Sequence, residues 1–223
     1  MPTTVVFDVN ETLLSLDPIR CWFNDRFDSQ PDASTWFAEL LRLSFVSSVT
    51  NQYVPFTGLA AAALETVAAQ SRVDVDVADI ETIKEVFTTL PAHGDVASGI
   101  DRLLEAKLGV AALTNSPQAT AEAQLRNAGI ADRFQKVMSV DMVSRFKPHR
   151  SVYHAAARQL TIAPADIVMV AAHDWDVAGA IAAGADGVFI KRQGQTYSPA
   201  LQQPTIIARD IGDAASMIIE RYG

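Results

Sequence analysis

The chain has 223 residues, of which 49% are hydrophobic, and its 18 Lys and Arg against 26 Asp and Glu leave a formal net charge of −8. That balance excludes a disordered chain and argues against nucleic acid or an anionic membrane as the main partner. A single cysteine, Cys21, excludes an internal disulfide and a cysteine-based zinc site, and points to a reducing cytoplasm.

The N-terminal "MPTTVVFDV" has no basic leader and reads as a first strand over residues 3–9, a β-branched run that meets an acid at Asp8. Residues 13 to about 90 read as helical, with no strand. "STWFAELLRLSFVSSVTNQYV" spaces Trp36, Leu40, Leu41, Leu43 and Phe45 close to a helical period, and "GLAAAALETVAAQ" and "DIETIKEVFTTL" follow it. No apolar run is long enough to span a membrane.

After Pro91, strand and helix alternate. "ASGIDRLLEAKLG" reads as a helix ending at Gly109 and "VAALTN" as a buried strand. "PQATAEAQLRNAG" reads as a helix punctuated by Pro117 and Gly129. "FQKVMSV" is a strand, "SRFKPH" a loop and "SVYHAAARQL" a helix. "DIVMVAA", "DVAGAIAAG" and "GVFIKR" follow as strand, helix and strand, then "PTIIA" as a short strand before the helix "GDAASMIIERY". This alternation predicts an α/β fold built on a doubly wound parallel sheet. The helical block interrupts it. The expected division is a Rossmann-like core at residues 1–13 and 91–223, with an inserted helical cap domain at 14–90.

Parallel strands all end on one edge, so the polar residues that follow them converge. Four such places are Asp8, Thr114 with Asn115, Lys147, and His173 to Asp176 within "VAAHDWDVAGA". The last run suits metal ligands, general-base machinery or a polar helix start alike.

In order, "FDVNETL", "LTNS", "KP" and "HDWDVAGA" resemble the four motifs of the haloacid dehalogenase superfamily, over nearly the whole chain and including the place of the cap. The resemblance implies that Asp8 is a nucleophile, that Thr114 and Asn115 bind substrate, and that Lys147 neutralises the carboxylates. A phosphatase of this superfamily would carry an acid two residues after the nucleophile and a Gly-Asp pair for magnesium. Those positions hold Asn10 and Ala171-Ala172, and alanine cannot ligate a hard cation. A phosphate ester would also bring close to two negative charges against Asp8. Like charges about 4 Å apart repel by roughly 4 kcal/mol at an effective dielectric near 20. A haloacid is a monoanion whose halide leaves without a proton, so neither a metal nor another cofactor is expected.

Closer matches resemble the L-2-haloacid dehalogenases: Thr12 in the turn after Asp8, Tyr153 in "KPHRSVY", and Trp175-Asp176 ahead of "GA". Two departures stand out. The arginine that this family places on the first cap helix to receive halide is replaced by Phe37, and the Ser and Asn of the fourth motif are Ala171 and His173. His173 and Glu11 suggest a substitute. An Asp8 ester would be hydrolysed by a water whose proton passes to His173, while Glu11 orients the ring. An ordinary histidine pKa of about 6.5 suits that role. Asp176 would partner Lys147 or position water. Thr114, Asn115 and the backbone N–H groups of Val9 and Asn10 would bind the substrate carboxylate or halide, and Thr12, Tyr153, Phe37 and Trp175 would complete the pocket.

The reading is therefore hydrolytic dehalogenation of a short 2-haloalkanoic acid. L-configured substrates and a homodimer are implied by the resemblance alone. Plainer roles stay open: Glu11 as an acid favoured by a helix dipole, His173 as a backbone-bonded loop residue, Lys147 in a surface ion pair, Asp174 as a helix-start acid, and Tyr153 and Trp175 as core packing. Two other functions also stand beside it. One is a magnesium phosphatase using Asp8 with Asp174 or Asp176, and the other is a catalytically reduced binding protein.

Overall fold

The apolar runs of the sequence form strands buried almost from end to end, as a sheet covered on both faces requires. The structure is a computed structural model describing residues 3–28 and 30–223. The strands are β1 (Thr4–Phe7), β2 (Gly109–Thr114), β3 (Lys136–Ser139), β4 (Ile167–Ala171), β5 (Asp186–Ile190) and β6 (Ile206–Ala208). They pair in parallel in the order β3-β2-β1-β4-β5-β6. The order runs outward from β1 on both sides, so β1 lies at the switch point, where ligands bind beyond the carboxyl ends of the strands.

Four helices lie between β1 and the rest of the sheet: α1 (Asp17–Phe27), α2 (Ala33–Thr50), α3 (Phe56–Ser71) and α4 (Val77–Thr88). Their starts are written locally. The Asp32 side chain accepts the Thr35 N–H at 2.7 Å, and Asp76 and Asp79 exchange bonds in a capping box. The insertion has an aromatic centre in Trp36, which packs against Phe23 and Phe87 and donates its indole N–H to the Ala60 carbonyl at 3.0 Å. Its two ends meet at the sheet. Ser15 N–H bonds the Pro91 carbonyl at 2.8 Å, and His93 N–H bonds the Leu13 carbonyl at 2.9 Å.

The later helices are α5 (Val96–Glu105), α6 (Gln118–Asn127), α7 (Arg150–Leu160), α8 (Asp174–Ala182) and α9 (Ile211–Tyr222). Gly109 is not the helix stop that the sequence pattern predicts. α5 ends earlier, Lys107 takes the left-handed conformation, and Gly109 begins β2 opposite Thr4. A Cβ there would come within 2.9 Å of Thr4 Oγ1, so the glycine serves strand packing. Among the described residues no helix is long and apolar enough to cross a membrane.

Gly179 sets how closely α8 approaches the loop that carries Lys147. A Cβ on it would collide with Pro148 Cβ and would sit 2.7 Å from the Tyr153 hydroxyl. Gly179→Ala is therefore expected to cost about 1–3 kcal/mol through overpacking. A lowered thermal midpoint checks this, and an unchanged one would show that α8 can shift freely.

Candidate active site

Asp8 follows β1 directly, and its backbone N–H bonds the Val170 carbonyl of β4 at 3.0 Å. The carboxylate thus stands at the switch point. Its Oδ1 accepts from Lys147 Nζ at 2.6 Å, and its Oδ2 accepts from the Thr12 hydroxyl at 2.7 Å and lies 3.3 Å from His173 Nδ1. Lys147, in the loop between β3 and α7, is fully buried. Its other donors go to Asp176 Oδ2 at 2.7 Å and to the Leu113 carbonyl at 2.9 Å, so the ammonium is satisfied. Asp176, in the first turn of α8, also accepts from the Tyr153 hydroxyl at 2.7 Å.

These charges support one another. Burial works against the Lys147 ammonium, but Asp176 and Asp8 hold its pKa above the ordinary value. Burial likewise opposes the Asp8 carboxylate, yet the Lys147 charge and the His173 contact hold it well below the usual range. Asp176 is raised by burial and by its neighbour Asp8, with Lys147 opposing. Lys147 is no surface ion pair.

A second pair lies on the other side of Asp8. Glu11 occupies the turn after β1 with φ 65°, a left-handed conformation that costs a non-glycine residue about 1–2 kcal/mol. Its carboxylate lies 3.0 Å from His173 Nε2 and accepts from Arg20 Nη2 and Gln195 Nε2, each at 3.0 Å. Glu11 is thus bound to side chains rather than serving a helix dipole, and His173 is not a backbone-bonded loop histidine. Burial would lower the His173 pKa, but hydrogen bonds and charge from Asp8 and Glu11 overcome it and raise it to about 9. Glu11 is lowered in turn, against burial, first by the His173 hydrogen bond. The two carboxylates thus favour the charged ring, where the sequence alone leads to an ordinary imidazole. Trp175 stacks on its ring at 5.0 Å between centroids, and Phe37 lies 5.8 Å away on a tilted plane.

A cavity of about 10 Å³, room for one water, touches Asp8, Asn10, Asn115, His173 and Trp175. A larger one of about 310 Å³ lies beyond His173 and reaches Glu11, Arg20 and Gln195. Phe37, Leu41, His173 and Trp175 line both.

Other residues predicted for the site sit differently. Asn115 reaches the small cavity and accepts the Lys147 N–H at 3.0 Å. Asn10 reaches it too, with its amide bonded to Ser116 and Gln124. Thr12 acts on Asp8 and also accepts the Ala172 N–H at 2.9 Å. Four expected substrate-binding residues, Thr12 among them, do not line the small cavity. Thr114 turns its hydroxyl to the Ser116 N–H, Val9 is buried with its carbonyl bonding Leu13 and Leu14, and Tyr153 is buried against Asp176. Asp174 begins α8 and accepts the Trp175 N–H, the plainer of its two readings. Sequence reasoning missed Arg20, Gln195, Leu41 and Phe56, which sit in no recognisable motif.

The residues present do not suit a divalent cation. The place between Asp8 and Asp176 is filled by Lys147 Nζ, and residue 172, an alanine, offers only its backbone. Among the described residues no group of three or more His, Cys, Asp or Glu is placed to hold a metal ion.

A parallel α/β sheet with an aspartate at its switch point, a buried lysine partner and a helical insertion after β1 defines a class of capped hydrolases. The family of haloacid dehalogenase-like hydrolases matches residues 2–184, and the chain belongs to it. Among curated relatives, the (S)-2-haloacid dehalogenase of Pseudomonas sp. (strain YL) is 25% identical over 90% of this chain and 87% of its own. Haloacetate dehalogenase H-2 of Moraxella sp. (strain B) is 26% identical over 76% and 75%. The structure of L-2-haloacid dehalogenase from Xanthobacter autotrophicus, solved with chloropropionic acid covalently bound, superposes with a TM-score of 0.91 over all of both chains at 20% identity. That likeness establishes the fold.

Since Asp8 is one of the two anions holding the His173 proton, Asp8→Asn should lower the His173 titration midpoint from its value of about 9. NMR of the labelled imidazole measures this. The raised pKa also stabilises the fold fully below about 6.5, and that contribution is lost as pH rises through about 9. The alkaline fall in thermal midpoint should accordingly be shallower in Asp8→Asn. An unshifted midpoint would remove Asp8 as the source.

Proposed function

We propose that this hydrolase removes halide from short 2-haloalkanoic acids, without a metal, through an ester on Asp8. The observation that carries the reading is the Asp8 carboxylate held by Lys147 on one oxygen and facing the Glu11-bound His173 on the other. An Asp8 oxygen attacks C2, a carbon–oxygen bond forms, and halide departs with the carbon–halogen electron pair. Lys147 keeps the nucleophile ionised and oriented. Asn115 and the Asn10 N–H bind the substrate carboxylate, while Phe37 and Trp175 provide apolar walls.

Ester formation removes the negative charge of Asp8. His173 then loses one of its two anionic partners and releases its proton toward Glu11 and solvent. The neutral ring, held by Glu11, takes a proton from water attacking the Asp8 carbonyl carbon. The tetrahedral adduct collapses and the 2-hydroxy acid leaves with that proton, while the water's second proton passes from the Asp8 carboxyl to His173, which restores both the carboxylate and the charged ring. The segment 14–90 acts as a cap over this site. Preference for L-configured substrates, a homodimer and a cytoplasmic location belong to the same proposal.

Halide release from chloro- and bromo-acids in the presence of a chelator tests it. Wild type should release halide and Asp8→Asn should not, whereas silence from the wild type on every acid would overturn the reading. His173→Asn should trap the Asp8 ester as added mass and slow turnover by about 10²–10⁴-fold, the usual worth of a general base. Wild-type turnover in that variant would remove His173 from the water step.

A further inference from the structure

The turn after β1 carries Glu11 and Thr12 side by side, and its shape is secured only in part from within. Glu11 stands at φ 65° without being glycine. The turn's internal bonds run from Glu11 N–H to the Leu14 carbonyl and from the Leu13 and Leu14 N–H groups to the Val9 carbonyl. Those bonds secure part of the turn, and the carbonyls of Glu11 and Thr12 point to side chains from distant segments. His93 Nε2 lies 3.1 Å from the Glu11 carbonyl. Arg192 places Nε and Nη2 on the Thr12 carbonyl at 3.1 and 2.9 Å. Arg192 is anchored in turn by Asp95 at 2.8 Å, and Asp95 accepts the Ile211 N–H at 2.7 Å.

His93 stands where the helical insertion returns to the sheet, and Arg192 follows the end of β5. Neither belongs to the motifs that bear the chemistry. A carbonyl acceptor fixes the proton of His93 on Nε2. Burial and the nearby Arg192 charge favour the neutral ring, and the charged form would keep the same donor.

We propose that His93 and Arg192 are positioning residues that grip the consecutive carbonyls of Glu11 and Thr12, and so keep the Glu11 carboxylate on His173 for hydrolysis of the Asp8 ester. The inference rests on the proposed reaction for its kinetic consequence and on geometry alone for the rest. Attack by Asp8 rests chiefly on Lys147 and the backbone bond to Val170, with the Thr12 hydroxyl as a third support that Arg192 reaches and His93 does not. The two half-reactions should therefore separate. The groups around His173 are Asp8 and Glu11 from the β1 end and its turn, Phe37 from α2 and Trp175 from α8, with Lys147, Asp176 and Arg20 as the next charges outward.

The test compares wild type with His93→Ala, His93→Gln and Arg192→Ala, using chloroacetate in rapid-quench single turnovers. Glutamine retains an amide donor for the Glu11 carbonyl. In His93→Ala chloride release in the first turnover should stay within about twofold, while glycolate formation from the ester slows by about tenfold or more, a large part of a general base's usual worth; Arg192→Ala should slow glycolate formation likewise, with a smaller loss of chloride release through Thr12. His93→Gln should recover most of the loss. The His173 titration midpoint, followed by NMR, should fall by about one pH unit in His93→Ala as Glu11 drifts from the ring.

Chloride release and ester hydrolysis falling in parallel would overturn the proposal, as would hydrolysis and a His173 midpoint both left at wild-type values. If wild type releases no chloride, the proposed reaction fails. The midpoint in His93→Ala then decides the grip by itself, and an unshifted value sinks it. Should Arg192→Ala not fold, the two His93 variants carry the decision.

Discussion

A lysine ammonium with no solvent exposure is the constraint from which the rest of this structure follows. Removing such an ion from water costs on the order of several kcal/mol, and only well-placed partners repay it. Lys147 finds them in Asp8 beyond β1, Asp176 in the first turn of α8 and the carbonyl of Leu113 in β2. The register of β1 against β2 and β4 is thereby tied to the position of a loop and a helix start. Gly179 and Tyr153 serve the same convergence, one by letting α8 come close, the other by holding the second oxygen of Asp176. Without the ammonium, two buried carboxylates would face each other and one would take up a proton. Asp176, already raised by burial and by Asp8, would take it, and Asp8 would keep only His173 as a counter-charge.

The imidazolium of His173 extends this arrangement. Two buried cations face three carboxylates, and Arg20 adds a half-exposed charge behind Glu11. Such a site tolerates one further negative charge from a monoanionic acid far better than the two of a phosphate ester. The same electrostatics leave no place for a divalent ion, because the ammonium already stands between the carboxylates that would bind it.

The sheet was legible because apolar period and polar strand ends coincide, and the order of the four motifs was enough to bring Asp8, Lys147 and Asp176 together. Glu11 and His173 follow ends of adjacent strands, which suggested that they could meet, but only the structure brings them into contact, at 3.0 Å. What the pattern could not show came from segments with no period and no motif. Gln195, Arg192 and His93 reach the turn from connections whose spacing carries no signal. Tyr153 sat at the right distance from Lys147 in sequence, but a helix face decides whether a hydroxyl meets a cavity or an acid, and here it meets Asp176. The charge of His173 was out of reach for a related reason. A pKa depends on how many carboxylates surround the ring in space.

Phe37 gives the departure from the related haloacid dehalogenases a physical sense. A cation carried on the cap would leave the site whenever the cap moved. Here the positive charge belongs to the edge of the sheet, and the cap brings an aromatic ring alongside it. That contact lowers the local dielectric around His173 and strengthens its interactions with Asp8 and Glu11 alike. Enclosure by itself opposes the charge on the ring, and the two carboxylates outweigh it. Once Asp8 is esterified, the same dry surroundings penalise a ring that has lost one of its anions. In the proposed reaction the two carboxylates hold the proton before the covalent step and the enclosure expels it afterwards, so that one histidine would serve first as a counter-ion and then as a base.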